Sequence, residues 1–382
     1  MNTRRRKQKR IAVVTGTRAE YGLLTSTMRA IQAERRLQLQ LVVTGMHLLR
    51  KFGHTVKLIE RDGWPISARV RMQDGSDSPL DQANGLSRGV AGIARFVESA
   101  ATDVVVVLGD RIEAAAGALA AVTTGRVLAH VHGGDVAPGD FDDSLRHAIT
   151  KLAHVHFPAT RQAARRIVRL GESPQRVHTV GAIGLDQLSA LLAEAPPTRE
   201  RSGEAFIIQH ACGRAAATEK RTMQALLRAV ASVGLRRLIS YPNTDRGHRG
   251  VLEAIEQHQR SSPRDEVQVF RSLPRDEYLL ALMRADVLVG NSSSGIIEAP
   301  LAGTPTVNVG PRQTGRQVGG PSVTHAGESE AAIRKTIEAA LRKRPRTGRQ
   351  TPYGDGRAGQ RIARILADLP ERDALVRKVI AY

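Results

Sequence analysis

Several short stretches of this 382-residue chain group glycine, charged and hydroxyl-bearing residues in ways that can do chemistry. Gly16-Thr17-Arg18-Ala19-Glu20 follows a short apolar run. A glycine turn opening a helix presents free backbone N–H groups and a positive dipole end, and Arg18 there can fork onto a phosphate. The spacing is not the GxGxxG dinucleotide fingerprint. Leu108-Gly109-Asp110-Arg111 ends an aliphatic run. A carboxylate and a guanidinium at the tip of a buried strand are costly without a partner or a purpose. A mutual ion pair is the structural alternative. His130-Val131-His132-Gly133-Gly134-Asp135, followed by Asp142-Asp143-Ser144-Leu145-Arg146-His147, gathers groups suited to acid–base work near neutral pH. Metal ligation is the rival reading, although neither HExxH nor a compact His/Cys set is present. Asp142-Asp143 alone could cap a helix.

Two further stretches suit phosphate. Val289-Gly290-Asn291-Ser292-Ser293-Ser294-Gly295 places successive small residues at a helix start, an anion-binding nest with added hydroxyl donors. It lacks the GK[ST] ending of a P-loop. Glu298, one turn on, could accept from ribose hydroxyls. Gly310-Pro311-Arg312-Gln313-Thr314-Gly315-Arg316 sets two arginines on a glycine-bounded loop.

The elements that carry these groups are short Val/Ile/Leu runs alternating with longer helical patterns. Ile11–Thr15, Leu39–Thr44, Val104–Leu108 and Val127–Val131 read as buried strands, with helices between them. After Ala195-Pro196-Pro197-Thr198 the pattern restarts. Ala205–Gln209, Arg237–Tyr241, Val267–Phe270, Val287–Val289 and Thr306–Val309 read as strands, the last closing the series. Unalternating apolar strands separated by helices predict an α/β fold of two doubly wound parallel sheets. Nearly every polar group above falls at a strand's carboxyl end, where such sheets bind ligands; two facing units would share one cleft.

Composition narrows the classes. The formal net charge is +20, which invites a nucleic-acid reading. Part of the excess sits in Arg4-Arg5-Arg6-Lys7 and Lys9-Arg10, and residues 1–10 are expected to form a disordered tail. Aromatic residues are only 3%, few for base stacking, and no nucleic-acid-binding signature appears. A polyanionic small molecule explains the positive charge equally well. The single cysteine, Cys212, allows no intrachain disulfide. Ile11–Val14 is too short for a signal-peptide core and no run is long enough to span a bilayer, so a cytoplasmic protein is expected.

Together and in this order, the motifs resemble the hydrolysing UDP-N-acetylglucosamine 2-epimerases of sialic-acid synthesis, which feed cell-surface polysaccharide. The matching stretches are Thr15–Tyr21, Val43–His47, Leu108–Arg111, His130–Asp135, Asp142–Leu152, Tyr241–Asp245, Gly290–Glu298, Gly310–Arg316 and Tyr353–Gly356. The run from Asp142 to His154 is the most specific. The resemblance implies a glycosyltransferase-B-like pair of Rossmann-like domains facing a cleft. These are 11–182 and a UDP-binding 183–359, with a terminal helix, 360–382, packing back on the first. It implies catalysis by Asp110, His132, Asp142 and His210. Substrate would be held by Arg18, His47, Arg111, Asp135, Arg146, Asn243, Ser292, Ser293, Glu298 and Arg316. No cofactor and no metal are implied. The expected partner is a UDP-sugar, not a nucleic acid or a membrane, and the expected assembly is a homodimer or homotetramer.

This sequence departs from the family pattern in places. His132 stands where many members carry a catalytic glutamate, and Asp135 where a glutamate often sits nearby. His210 is followed by Ala211-Cys212, where proline is usual. The Pro-Glu-Glu run of non-hydrolysing epimerases is replaced by Asp142-Asp143-Ser144. Some relatives act instead on a UDP-linked 2,4-diacetamido-trideoxy sugar. A glycosyltransferase of the same fold and a basic nucleic-acid-binding protein are the alternative classes.

Overall fold

The computed structural model describes residues 8–75, 79–136, 141–194, 202–243, 245–271, 273–342 and 351–381. Residues 1–7 of the expected tail, the Pro-Pro stretch and most of the basic loop at 342–349 lie outside the described residues. The chain divides into two compact units. One comprises Met1–Asp135, Phe141–Asp186 and Gly356–Tyr382; the other Val136–Asp140 and Gln187–Asp355.

The strands of the first unit are β1 (Lys9–Thr15), β2 (Leu37–Thr44), β3 (Ile66–Val70), β4 (Val104–Leu108), β5 (Val127–Val131) and β6 (Val155–Phe157). Its helices are α1 (Arg18–Ala33), α2 (Val56–Arg61), α3 (Pro79–Ser99), α4 (Ile112–Thr123), α5 (Asp142–Leu152) and α6 (Arg161–Arg169). Helix α7 (Gly184–Glu194) contains the boundary between the units. The sheet runs β3-β2-β1-β4-β5-β6, all parallel. β1 and β4 are buried along nearly their whole lengths, as a sheet covered on both faces requires.

Lys9 and Arg10 do not belong to a tail, which corrects the expected boundary. They open β1, paired with Leu37 and Gln38 of β2. The Lys9 ammonium donates to the carbonyls of Ala367, at 3.1 Å, and Leu369, and the Arg10 N–H donates to Asp103 Oδ2 at 2.8 Å. Long cationic side chains can end a buried strand when their stems pack and their heads find such acceptors.

The second unit contains β7 (Glu204–Ile208), β8 (Arg236–Ser240), β9 (Val267–Phe270), β10 (Val287–Gly290), β11 (Thr306–Val309) and β12 (Val323–Ala326). Around them lie α8 (Ala216–Ser232), α9 (His248–Ser261), α10 (Arg275–Arg284), α11 (Ser293–Ile297), α12 (Ala299–Ala302) and α13 (Glu330–Arg342). The order is β12-β11-β10-β7-β8-β9, again all parallel. β12 follows β11, so Thr306–Val309 does not close the series. β3, β6 and β12 escaped the sequence reading because each is a sheet edge, short and in two cases half exposed, with no apolar run.

In each sheet the strand order reverses at one place, between β1 and β4 and between β7 and β10. The loops leaving those strands diverge there and open a crevice. The chain's end returns to the first unit as α14 (Ala358–Asp368) and α15 (Arg372–Val376). Ile362, Leu366 and Leu375 join the core cluster that holds Leu24, Met28 and Ile31 of α1. Asp186 accepts the Ala358 and Gly359 N–H groups at 2.8 and 2.6 Å and starts that helix.

Leu366 is fully buried, so Leu366→Ala is expected to destabilise the first unit by about 2–5 kcal/mol. Chemical denaturation followed by circular dichroism measures this. An effect below about 0.5 kcal/mol would mean that α14 does not complete the core.

Candidate active site

In the first unit the polar groups gather at the β1/β4 switch. Helix α4 is the reason. Its Ala-rich residues are buried almost throughout, and the one charge in its first turn, Glu113, is fully buried with them. Two glycines at strand tips make room for it. A Cβ on Gly16 would lie 2.3 Å from Glu113 Cγ, and one on Gly45 would lie 2.5 Å from Glu113 Oε1. Arg111 Nε donates to Glu113 Oε2 and Gln73 Nε2 to Glu113 Oε1, both at 3.3 Å. Desolvation opposes the charge on Arg111, but Glu113, Glu20, Asp142 and Asp110 more than restore it, and its pKa is raised. Asp110, Arg111 and Asp142 are therefore brought together.

Arg146, on α5, completes this group. It donates to Asp110 Oδ2, and its other terminal nitrogen donates to the His132 carbonyl at 2.8 Å. One planar fork thus fixes both the carboxylate at the tip of β4 and the backbone at the tip of β5. His132 is a non-glycine residue at φ 60°, a conformation that side chains seldom adopt and that clusters at functional sites. Its Nε2 accepts from the Ile183 N–H at 3.3 Å, which places the ring proton on Nδ1. Asp142 is exposed in the first turn of α5, and Asp135 is buried just beyond β5.

Glu20 lies beside this group. Its Oε2 accepts the Gly16 N–H at 2.7 Å. Desolvation, against that hydrogen bond and with help from the Glu113 charge, raises its pKa to about 8. Arg18 stands in the same first turn of α1, after the N-cap Thr17. His47 stands behind the site. It is fully buried, with Nε2 at 3.2 Å from Thr15 Oγ1 and Nδ1 at 2.7 Å from Thr55 Oγ1. Both nitrogens are taken, so in this geometry His47 braces the β1 tip instead of reaching a ligand.

In the second unit Asn291 organises the β7/β10 switch. Its side chain accepts the His210 N–H at 2.7 Å and donates to the His210 carbonyl at 2.9 Å. Its own carbonyl accepts from Gln313 Nε2 at 2.7 Å, which ties in the loop carrying Arg316. His210 Nδ1 accepts the Asn243 N–H at 3.1 Å, so Nε2 carries the ring proton. Desolvation, then the nearby Arg312, lowers its pKa to about 4, and at neutral pH it is an uncharged donor. Ser292 caps α11, accepting from the Ser294 N–H at 3.3 Å, and Ser293 begins the helix. Glu298 is engaged by Arg275 and by the Ser294 hydroxyl. A carboxylate has about four lone-pair sites, so it can still accept more. Arg316 donates to the Val136 carbonyl at 3.3 and 3.0 Å.

The family model described as UDP-N-acetylglucosamine 2-epimerase matches residues 29–367. The chain belongs to that family. It is 32% identical to a UDP-N,N'-diacetylbacillosamine 2-epimerase (hydrolyzing) of Legionella pneumophila, over 98% of this chain and 100% of that one. It is 33% identical to a UDP-N-acetylglucosamine 2-epimerase of Neisseria meningitidis, over 87% of each. A Methanocaldococcus jannaschii UDP-GlcNAc 2-epimerase, solved with UDP-GlcNAc and UDP, matches with TM-score 0.71 at 18% identity, over 94% of this chain and 100% of that one. The fold is thus glycosyltransferase-B-like, two Rossmann-like α/β units. No helix among the described residues is long and apolar enough to cross a membrane.

Glu113 was given no role by motif reading, and Glu20, His130 and Asn291 only a place in a motif. His130 ties the β4 and β5 tips, at 2.8 Å from the Gly109 carbonyl and 3.1 Å from Thr150 Oγ1. Glu113 had a legible signal: one acid opening a helix otherwise apolar enough to be buried on every face.

Glu20 makes a test. Its folded pKa of about 8 lies well above the ordinary glutamate value of 4.5. The folded state holds a proton that the unfolded chain has released, so stability falls as pH rises through that window. Glu20→Gln abolishes this titration and keeps an acceptor for the Gly16 N–H. The variant's melting temperature relative to the parent should therefore climb between pH 5 and pH 8. A difference that is flat across the window would show Glu20 to be ionised in the folded chain.

Proposed function

We propose that the chain is a hydrolysing 2-epimerase that converts a UDP-2-acetamido-glucose-type sugar and water to UDP and the free 2-epimer. With UDP-N-acetylglucosamine the product is N-acetylmannosamine. The proton at C2 is removed as the C1–O bond breaks and UDP departs, giving a glycal. Water then adds across the double bond with inverted configuration at C2.

The observation that carries this reading is Asp110, held by Arg146 at the sheet's switch point, with Asp142 and Arg111 beside it. A carboxylate so oriented can take the C2 proton. Charge on the departing diphosphate needs fixed donors. Arg18, the Ser292/Ser293 nest and Arg316 are of that kind, whereas neutral His210 offers its Nε2–H for acid–base work on the sugar. Gln209, whose amide atoms are buried without partners, and Asn243, whose Oδ1 is likewise unpartnered, leave polar groups for a nucleotide to satisfy. Release of the free sugar is supported by Asp142-Asp143-Ser144 in place of Pro-Glu-Glu, and by the full-length similarity to a relative named as hydrolyzing. The relatives carry two substrate names, UDP-N-acetylglucosamine and UDP-N,N'-diacetylbacillosamine. The latter is the 2,4-diacetamido-2,4,6-trideoxy sugar.

Incubating the chain with each sugar nucleotide alone tests the reaction. Free UDP and a free 2-epimerised sugar are expected without any acceptor. Turnover only after an acceptor is added would make it a glycosyltransferase, and a product that keeps its UDP would make it a non-hydrolysing epimerase.

A second measurement separates the roles. Arg316→Ala should weaken UDP binding by roughly 1.5–3 kcal/mol, the loss of a charge-assisted contact. His210→Ala should leave UDP affinity within a few-fold and cut turnover by about 10²-fold or more. Calorimetric titration of UDP beside initial rates decides it. If His210→Ala loses UDP affinity in proportion to its rate, the histidine belongs to the nucleotide pocket instead.

A further inference from the structure

Glu20 is a buried acid to which the proposed reaction gives no task. Its Oε2 takes the Gly16 N–H at 2.7 Å, and its own N–H is capped by Thr17 Oγ1 at 3.3 Å. Gly16 also touches Glu113, where a Cβ would lie 2.3 Å from Cγ and 2.8 Å from Cδ. Two buried carboxyl groups thus meet at one glycine. Their hydrogen bonds differ. Glu113 receives Arg111 Nε and Gln73 Nε2, whereas among the described residues the Glu20 carboxyl receives only a backbone N–H. Two carboxylates this close disfavour each other's charge, and the one paired with a cation keeps it. The proton therefore belongs on Glu20. Burial, opposed by the Gly16 hydrogen bond and aided by the Glu113 charge, raises its pKa to about 8.

Arg111 is the group that this proton controls. Its Nε is held by Glu113 at 3.3 Å, while the side chain as a whole is 43% exposed. Among the described residues its two terminal nitrogens have no hydrogen-bond acceptor. Glu113, Glu20, Asp142 and Asp110 all act on its charge, in that order. Glu20 therefore bears on Arg111 more strongly than either carboxylate proposed for the chemistry. Attraction between charges grows as water is withdrawn. An ionised Glu20, buried, would compete for the guanidinium against half-buried Asp110 and exposed Asp142. The other groups nearby do not titrate in the same range. His47, at the β1 tip, has its pKa lowered to about 4 by desolvation and is uncharged near neutral pH. Arg18, in the same helical turn, and Arg146 stay cationic throughout.

We propose that Glu20 is a positioning residue for the reaction: as a neutral acid it leaves the outer end of Arg111 to the sugar nucleotide, and as a carboxylate it draws that end inward beside Glu113. The inference rests on the 2-epimerase reading. A neutral Glu20 still accepts the Gly16 N–H, so the β1 tip keeps its shape in both states. What changes is the number of buried negative charges that share one guanidinium. The enzyme is therefore competent below the pH at which Glu20 ionises and loses Arg111 above it.

The test is the pH profile of kcat/KM for UDP release by the full-length chain, with both sugar nucleotides as substrates. A group titrating at about 8 is roughly nine-tenths protonated at pH 7 and one-tenth at pH 9, so kcat/KM should fall about tenfold between them. Glu20→Gln keeps a neutral group on the Gly16 N–H, and its kcat/KM should change by less than about threefold over the same interval. An equal alkaline loss in both proteins overturns the inference, as does a parent profile that is flat from pH 7 to pH 9. Should Glu20→Gln fail to fold, the parent decides. A carboxyl group ionises with almost no heat, so its limb should stay at the same pH on warming. A limb that moves to lower pH on warming belongs to a nitrogen group and overturns the inference. If neither compound is turned over, the 2-epimerase reading is what fails. The NMR signal of the Arg111 Nε–H, assigned by its loss in Arg111→Lys, then tests Glu20 without turnover. It should shift with a midpoint near pH 8 in the parent, and a signal that does not move through that range overturns the inference.

Discussion

A carboxylate withdrawn completely from water must be paired or neutralised, and the loops of the first unit are arranged around one such group. Glu113 is fully buried at the head of α4. An isolated ionised carboxylate there would be prohibitively costly. Arg111 and Gln73 supply its donors, and Gly16 and Gly45 supply the space. Each of these four residues sits at or just beyond the end of a strand. Satisfying Glu113 therefore sets the positions of the β1, β2, β3 and β4 tips together. Asp110 is one residue from Arg111, so the half-buried carboxylate inherits its placement from the fully buried one.

The second unit solves a similar problem with a neutral group. Asn291 both accepts from and donates to the backbone of His210, and this pins β7 to β10 at the point where their loops part. The amide also decides the chemistry of the imidazole indirectly. With the backbone of His210 held, its Nδ1 meets the Asn243 N–H and its proton is left on Nε2. Charge would be a liability at this place, because Arg312 is near and water is scarce. An uncharged imidazole with a fixed tautomer can donate without first being protonated.

What was legible in the sequence follows from these constraints. The central strands were readable because burial on both faces demands unbroken Val, Ile and Leu, as in Val104–Leu108. The edge strands β3 and β12 were not, because alternate or consecutive residues face solvent, and short turns between helices look much the same. Asp110, Arg111 and Arg146 were recognisable as polar residues in an apolar setting. Glu113 stands near the start of an Ala-rich helix, but its significance lies in two glycines that are distant in sequence. His47 was expected to touch substrate, but its environment is set by Thr15 and Thr55, which no motif joins to it. The extent of the basic tail was overestimated because Lys9 and Arg10 read as charge, while the acceptors that draw them into β1 come from far along the chain.

The return of the chain's end to the first unit bears on how the protein is made. Ile362, Leu366 and Leu375 belong to the same core as Leu24 and Met28, yet they are synthesised after the second unit. During translation the first sheet must wait, with the α1 face uncovered, until α14 and α15 have left the ribosome. The second unit is drawn almost wholly from one uninterrupted segment, Gln187–Asp355, and can complete its core while the chain is still growing. The half that begins first on the ribosome is thus the half that finishes last, and a ribosome stalled near residue 356 would leave behind an open hydrophobic face for chaperones to shield.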